Sequence, residues 1–144
     1  MLWLFACAGP PSAERFEDLH RDVYSAYGLS AEALHPHLAR SFSGPELTDR
    51  YLEWWAVLEA NERDEVRVEV MDVEYVSVLV ADEGLNAQWT VQARVHHGEH
   101  EHVRTNRYAA WFRLEDRIVE SRMQDMERLD LEEDAGRKPL QELF

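Results

Sequence analysis

The feature that most constrains this chain is the pair Gly98-Glu99, set between two long runs of alternating polar and apolar residues. Glycine supplies the positive φ that a two-residue hairpin turn needs, and alternation with period two is the pattern of a half-buried strand. A turn at this point dictates the pairing on either side of it. His97 faces His100, Val95 faces His102, Ala93 faces Arg104, Val91 faces Asn106, Trp89 faces Tyr108 and Ala87 faces Ala110. Opposed residues of an antiparallel pair share one side of the sheet. The other side then carries His96 opposite Glu101, Gln92 opposite Thr105 and Thr90 opposite Arg107, a wet face. The first side is apolar around Trp89, Ala110 and Phe112 and turns polar toward the tip through Asn106, Arg104 and His102.

Charge narrows the list of partners. The chain of 144 residues has a formal net charge of −14, which excludes nucleic acid, because phosphate binding needs a cationic surface and the counterion release that goes with it. Anionic lipid headgroups are excluded on the same ground. The length suits one domain with a core of its own. Residues 1–13 form an apolar start and linker, 14–130 the domain, and 131–144 an acidic, partly disordered tail that begins Leu131-Glu132-Glu133-Asp134. Cys7 is the single cysteine, so no internal disulfide forms. It closes the apolar run Met1-Leu2-Trp3-Leu4-Phe5-Ala6 and precedes Gly9-Pro10-Pro11. Leu4-Phe5-Ala6-Cys7 resembles the lipobox of bacterial lipoproteins, in which the thiol is acylated. The address implied is the bacterial cell envelope, lipid-anchored through Cys7 and facing the periplasm, with a cytoplasmic protein as the alternative.

Helical spacing dominates the first half of the chain. Ser12 suits an N-cap, and Phe16, Leu19, Val23, Tyr24 and Tyr27 make one apolar stripe that Gly28 ends. Ser30 caps a shorter segment with Leu34 and Leu38, where Pro36 predicts a kink or a restart. Ser43-Gly44-Pro45 breaks the chain, and a third helix runs from Pro45 to about Ala60, with Leu47, Tyr51, Trp54, Trp55 and Leu58 on one face. From Val66 the period becomes two. Met71-Asp72-Val73 shifts the phase of the apolar set and predicts a bulge. Asp82-Glu83-Gly84 turns the chain, and a last strand runs from Arg117 to about Leu129. Helices first and an antiparallel meander after them define an α+β domain, three helices packed on a bent four-stranded sheet. Taking Glu115-Asp116 as a two-residue corner predicts a second register: Phe112 with Val119, Ala110 with Ser121, Tyr108 with Met123, Asn106 with Asp125 and Arg104 with Glu127.

The order of elements resembles the nuclear transport factor 2-like superfamily, a cone-shaped fold that includes the SnoaL-like cyclases and ketosteroid isomerase. Trp89-Thr90-Val91, His97, His100, His102, Arg104-Thr105-Asn106, Tyr108, Asp125 and Glu127-Arg128 are similar to the strand motif of an uncharacterised bacterial envelope domain of that fold. This resemblance implies a fold and an envelope address; the preferred functional reading is a domain that binds a small molecule or a protein partner, without catalysis, with Arg104, Asn106, Glu127 and Trp89 meeting the ligand. The enzyme alternative is an isomerase, lyase or hydrolase with Asp125 as base and His102 and Tyr108 assisting, Asn106 and Arg104 steadying an enolate oxygen. The third reading is a zinc-binding accessory module, with His97, His100 and His102 converging on the metal and one position left open; on the other two readings no cofactor is expected. Trp111 projects from the wet face, where it would anchor a partner or a second copy of the chain.

Overall fold

The computed structural model describes residues 12–130; the lipobox-like segment with Cys7 and the acidic tail lie outside the described residues. Three α-helices, α1 (Ala13–Val23), α2 (Ala31–Leu38) and α3 (Gly44–Arg63), precede four strands, β1 (Val66–Val80), β2 (Leu85–His97), β3 (His100–Leu114) and β4 (Ile118–Arg128). The strands form one antiparallel sheet in the order β1-β2-β3-β4. The fold is α+β. Among the described residues no helix is long and apolar enough to cross a membrane.

Helix α1 starts where the sequence says it should, with Ser12 Oγ accepting from the Arg15 amide at 3.1 Å. Its apolar stripe is not one continuous α-helix: after Val23 the chain tightens into a 3-10 turn over Tyr24–Gly28. Pro36 is also accommodated, because α2 runs through it to Leu38 without restarting. A proline forfeits one backbone bond in so short a helix, and the complete burial of Leu34 and Leu38 outweighs that loss. In α3, Tyr51, Trp54 and Leu58 pack against the core, whereas Trp55 is exposed.

The β2/β3 register is the one dictated by Gly98-Glu99, pair for pair from His97 with His100 to Ala87 with Ala110. Gly98 takes the positive φ of 63° that the turn requires. The bulge predicted in β1 falls between Val70 and Asp72, and a second one lies between Tyr75 and Ser77.

The β3/β4 register differs from expectation. Phe112 pairs with Ser121, Ala110 with Met123, Ala109 with Asp125, Tyr108 with Met126, Arg107 with Glu127 and Asn106 with Arg128. The cause is local. Glu115-Asp116 has no glycine to close a two-residue turn, so Arg117 joins the loop and its carbonyl accepts from the Glu115 amide at 2.9 Å. Irregularities between Arg113 and Leu114 and between Ala109 and Ala110 add further slippage. The core fills the space between the helices and one face of the sheet, with Phe16, Leu34, Leu38, Leu85, Trp89 and Ile118 almost completely buried.

Candidate functional site

A short parallel bridge between Phe42 and Ile118 fastens the segment before α3 to the start of β4. Ile118 donates to the Ser41 carbonyl at 2.9 Å, and Ser43 donates to the Ile118 carbonyl at 3.2 Å. This staple sets the first turn of α3 beside β4, so that Glu46 meets Ser121. Between α1, the 3-10 turn, α3 and the covered face of the sheet lies a cavity of about 120 Å³.

Its floor is aromatic. The indoles and phenols meet at close range, with Trp89 stacked on Tyr108 at 5.4 Å between centroids and Tyr27 edge-on to Trp54 at 4.7 Å. His20 packs edge-on to Trp89 at 4.6 Å and parallel to Phe16 at 5.1 Å. Aromatic pairs at these separations and tilts add to their burial. Several polar atoms of this aromatic wall are engaged with one another or with groups just behind it. Trp89 Nε1 donates to Tyr24 Oη at 2.8 Å, His20 Nδ1 lies 2.6 Å from Tyr75 Oη, and Asn106 Nδ2 donates to Tyr108 Oη at 3.1 Å. Burial, aided by the neighbouring Arg21 charge, pushes the His20 imidazole down to about 3, so the ring is neutral. Burial likewise holds the Tyr24 and Tyr75 hydroxyls above their usual range.

Charged groups collect at one side. Glu46 is 6 % exposed and accepts a hydrogen bond from Ser121 Oγ at its Oε2. Arg50 Nε lies 3.7 Å from the same oxygen, and Arg50 Nη1 lies 3.8 Å from Glu53 Oε1. Burial raises the Glu46 carboxyl above its ordinary value, against the opposing pull of the Ser121 hydrogen bond and the Arg50 charge. Arg50, Glu53 and Ser121 all line the cavity.

The residues singled out in the sequence divide. Trp89 and Tyr108 form part of the cavity wall, and Asn106 and Arg104 are buried farther along the same face. Asp125 is exposed opposite Ala109, on the other face of the sheet from Asn106. Glu127 pairs with Arg107 on that open face, not with Arg104, a direct result of the shifted register. His97, His100 and His102 are exposed at the hairpin tip, and among the described residues no three His, Cys, Asp or Glu side chains are placed to hold a metal ion. Trp111 emerges on the open face as expected, but its cross-strand neighbour is Arg122, whose guanidinium stacks 4.7 Å over the indole.

Three residues of the cavity, His20, Arg50 and Ser121, and Glu46 beside it carry no signal in the hairpin. His20 stands four residues after Phe16, in the apolar stripe, and a polar residue in such a stripe is the clue to a buried polar contact. Glu46 reads in sequence only as a favourable charge in the first turn of a helix. A scan against protein-family models gave no match, and a search of curated proteins gave none either.

Proposed function

We propose that this domain binds a small, uncharged, ring-bearing molecule in the aromatic cavity beneath α1 and α3, and that the chain holds it at the bacterial envelope through a lipid on Cys7. The cavity carries this reading. A concave, mostly aromatic pocket with a few convergent polar groups is the usual form of a small-molecule site. On its aromatic side the ring hydrogen-bonding groups are engaged with protein partners, so that side selects for apolar surface. Two carboxylates flank the one guanidinium at its side, which leaves no excess positive charge for an anionic ligand. The element order supports reading the domain as a cone of the nuclear transport factor 2-like type, and the Leu4–Cys7 run supports the anchor.

The experiment is a titration with p-cresol followed by the indole N–H resonances. Binding moves the Trp54 and Trp89 signals and leaves Trp111 in place. A shift of Trp111 alone, or none, rejects the cavity as the site. For the anchor, the intact protein partitions into the detergent phase and Cys7→Ser into the aqueous phase; identical partitioning of the two rejects it.

A further inference from the structure

Ser121 and Arg50 line the cavity, Glu46 meets both of them beside it, and the chemistry of the three goes beyond holding a ligand. We infer that they form an acyl-transfer site that hydrolyses small neutral esters, with Ser121 as nucleophile, Glu46 as its base and Arg50 as the group that receives oxyanion charge. The inference rests on the cavity being a ligand site.

A serine hydroxyl becomes a nucleophile when a base within hydrogen-bond reach takes its proton. Ser121 Oγ already donates to Glu46 Oε2, and this carboxylate is shut away from water. Arg50 brings a cation to the same oxygen from the cavity side. Its Nε is buried and, among the described residues, has no hydrogen-bond acceptor. A buried donor without an acceptor calls for an explanation, and developing negative charge on a bound carbonyl oxygen supplies one. The aromatic floor of Trp89, Tyr108 and Phe112 offers a dry seat for an apolar acyl group.

The steps balance. Ser121 Oγ adds to the ester carbonyl carbon while its proton passes to Glu46, and the carbonyl oxygen becomes an oxyanion beside Arg50. As the carbonyl re-forms, the bond to the alcohol oxygen breaks and the alcohol leaves with the proton from Glu46. Water then adds to the acyl carbon, giving its proton to Glu46. Collapse breaks the bond to Ser121, which regains the proton, and the acid departs. Esters fit better than amides, because a carboxylic acid readily protonates a departing alkoxide whereas no imidazole stands here to protonate an amine. His20 is turned to Tyr75 and takes no part.

The test uses the full chain with p-nitrophenyl acetate and a fluorophosphonate probe. Exposed imidazoles at the hairpin tip hydrolyse an activated ester by themselves, so the variants decide. Nitrophenol release falls roughly 100-fold, to that tip background, in Ser121→Ala and in Glu46→Gln, as expected when a nucleophile or its base is removed. The fluorophosphonate adds one mass increment to wild type, mapped to Ser121, and p-cresol slows the labelling. Hydrolysis unchanged in Ser121→Ala, or wild-type protein unlabelled at Ser121, overturns the proposal. If Ser121→Ala fails to fold, the labelling of wild type decides alone. Shifts of Trp54 and Trp89 by p-cresol without labelling leave the binding site standing and reject acyl transfer; their absence rejects both.

Discussion

The Nδ1 atom of His20 lies 2.6 Å from the hydroxyl oxygen of Tyr75, joining the last turn of α1 to the edge strand of the sheet across a gap that is otherwise aromatic. The imidazole is buried and held neutral, its pKa lowered to about 3 by burial and then by Arg21. In the unfolded chain it titrates near the ordinary value of about 6.5. Between these values the unfolded state binds a proton that the native state does not. His20 therefore contributes stability that is complete above pH 6.5 and declines as pH falls toward 3, by roughly 1.4 kcal/mol per pH unit. The raised Glu46 carboxyl acts in the opposite sense, since its stabilising proton is gained on acidification. Urea unfolding between pH 5 and 6.5 reads the His20 contribution above the range in which most carboxylates titrate. His20→Gln removes that slope, and a variant as pH-sensitive as wild type excludes His20 as its source.

Trp89 carries both packing and a polar link. It is 2 % exposed, and its indole N–H ends on Tyr24 Oη. Replacement by alanine empties a large buried volume and costs about 3–5 kcal/mol. Trp89→Phe keeps a ring but leaves the buried Tyr24 hydroxyl without its donor, a loss of about 1–3 kcal/mol. Denaturant melts of the two variants rank them in that order. Equal losses would mean that the hydrogen bond, which both variants lack, accounts for the whole effect and the ring volume for nothing measurable.

On the open face, Gly84 is the residue that lets Trp111 lie flat. A methyl group there would stand 2.5 Å from the Phe112 carbonyl oxygen and 2.7 Å from two atoms of the Trp111 indole. The indole is free to swing out, at the expense of its stacking with Arg122, but the backbone oxygen is not. Gly84→Ala therefore destabilises by about 1–3 kcal/mol, as overpacking does. Trp111→Ala recovers only part of this when the two changes are combined, and a double-mutant cycle measures the recovered share. Complete recovery would assign the whole clash to the indole.

These residues also mark how far the sequence can be read. The β2/β3 register was legible because a glycine at the corner and alternation in both arms leave no other pairing. The helices were legible from apolar spacing and from Ser12, although the 3-10 turn after Val23 has no marker in that spacing. The cavity was not legible, because its polar members come from different parts of the chain. Glu46 and Ser121 are 75 residues apart and meet only because the Phe42–Ile118 bridge brings α3 to β4. The same limit applies to Asp125. Its position on the covered face depended on a two-residue corner that Glu115-Asp116 lacks the chemistry to form.

The β3/β4 register is itself open to a direct test, because two alternatives place different residues opposite Ala110. In the structure its partner is Met123, and Ser121 lies opposite Phe112. A disulfide demands Cα atoms no more than about 7 Å apart and side chains on one face, a condition that directly opposed residues meet. Ala110→Cys combined with Met123→Cys therefore oxidises to a monomeric cross-linked protein, while Ala110→Cys with Ser121→Cys, displaced by two positions along β4, does not. Both are made in a Cys7→Ser background so that no third thiol competes. Intact mass under oxidising conditions and thiol counting after unfolding separate the outcomes. Efficient cross-linking of the second pair would restore the two-residue corner, return Asp125 to the face of Asn106, and move Ser121 away from Glu46.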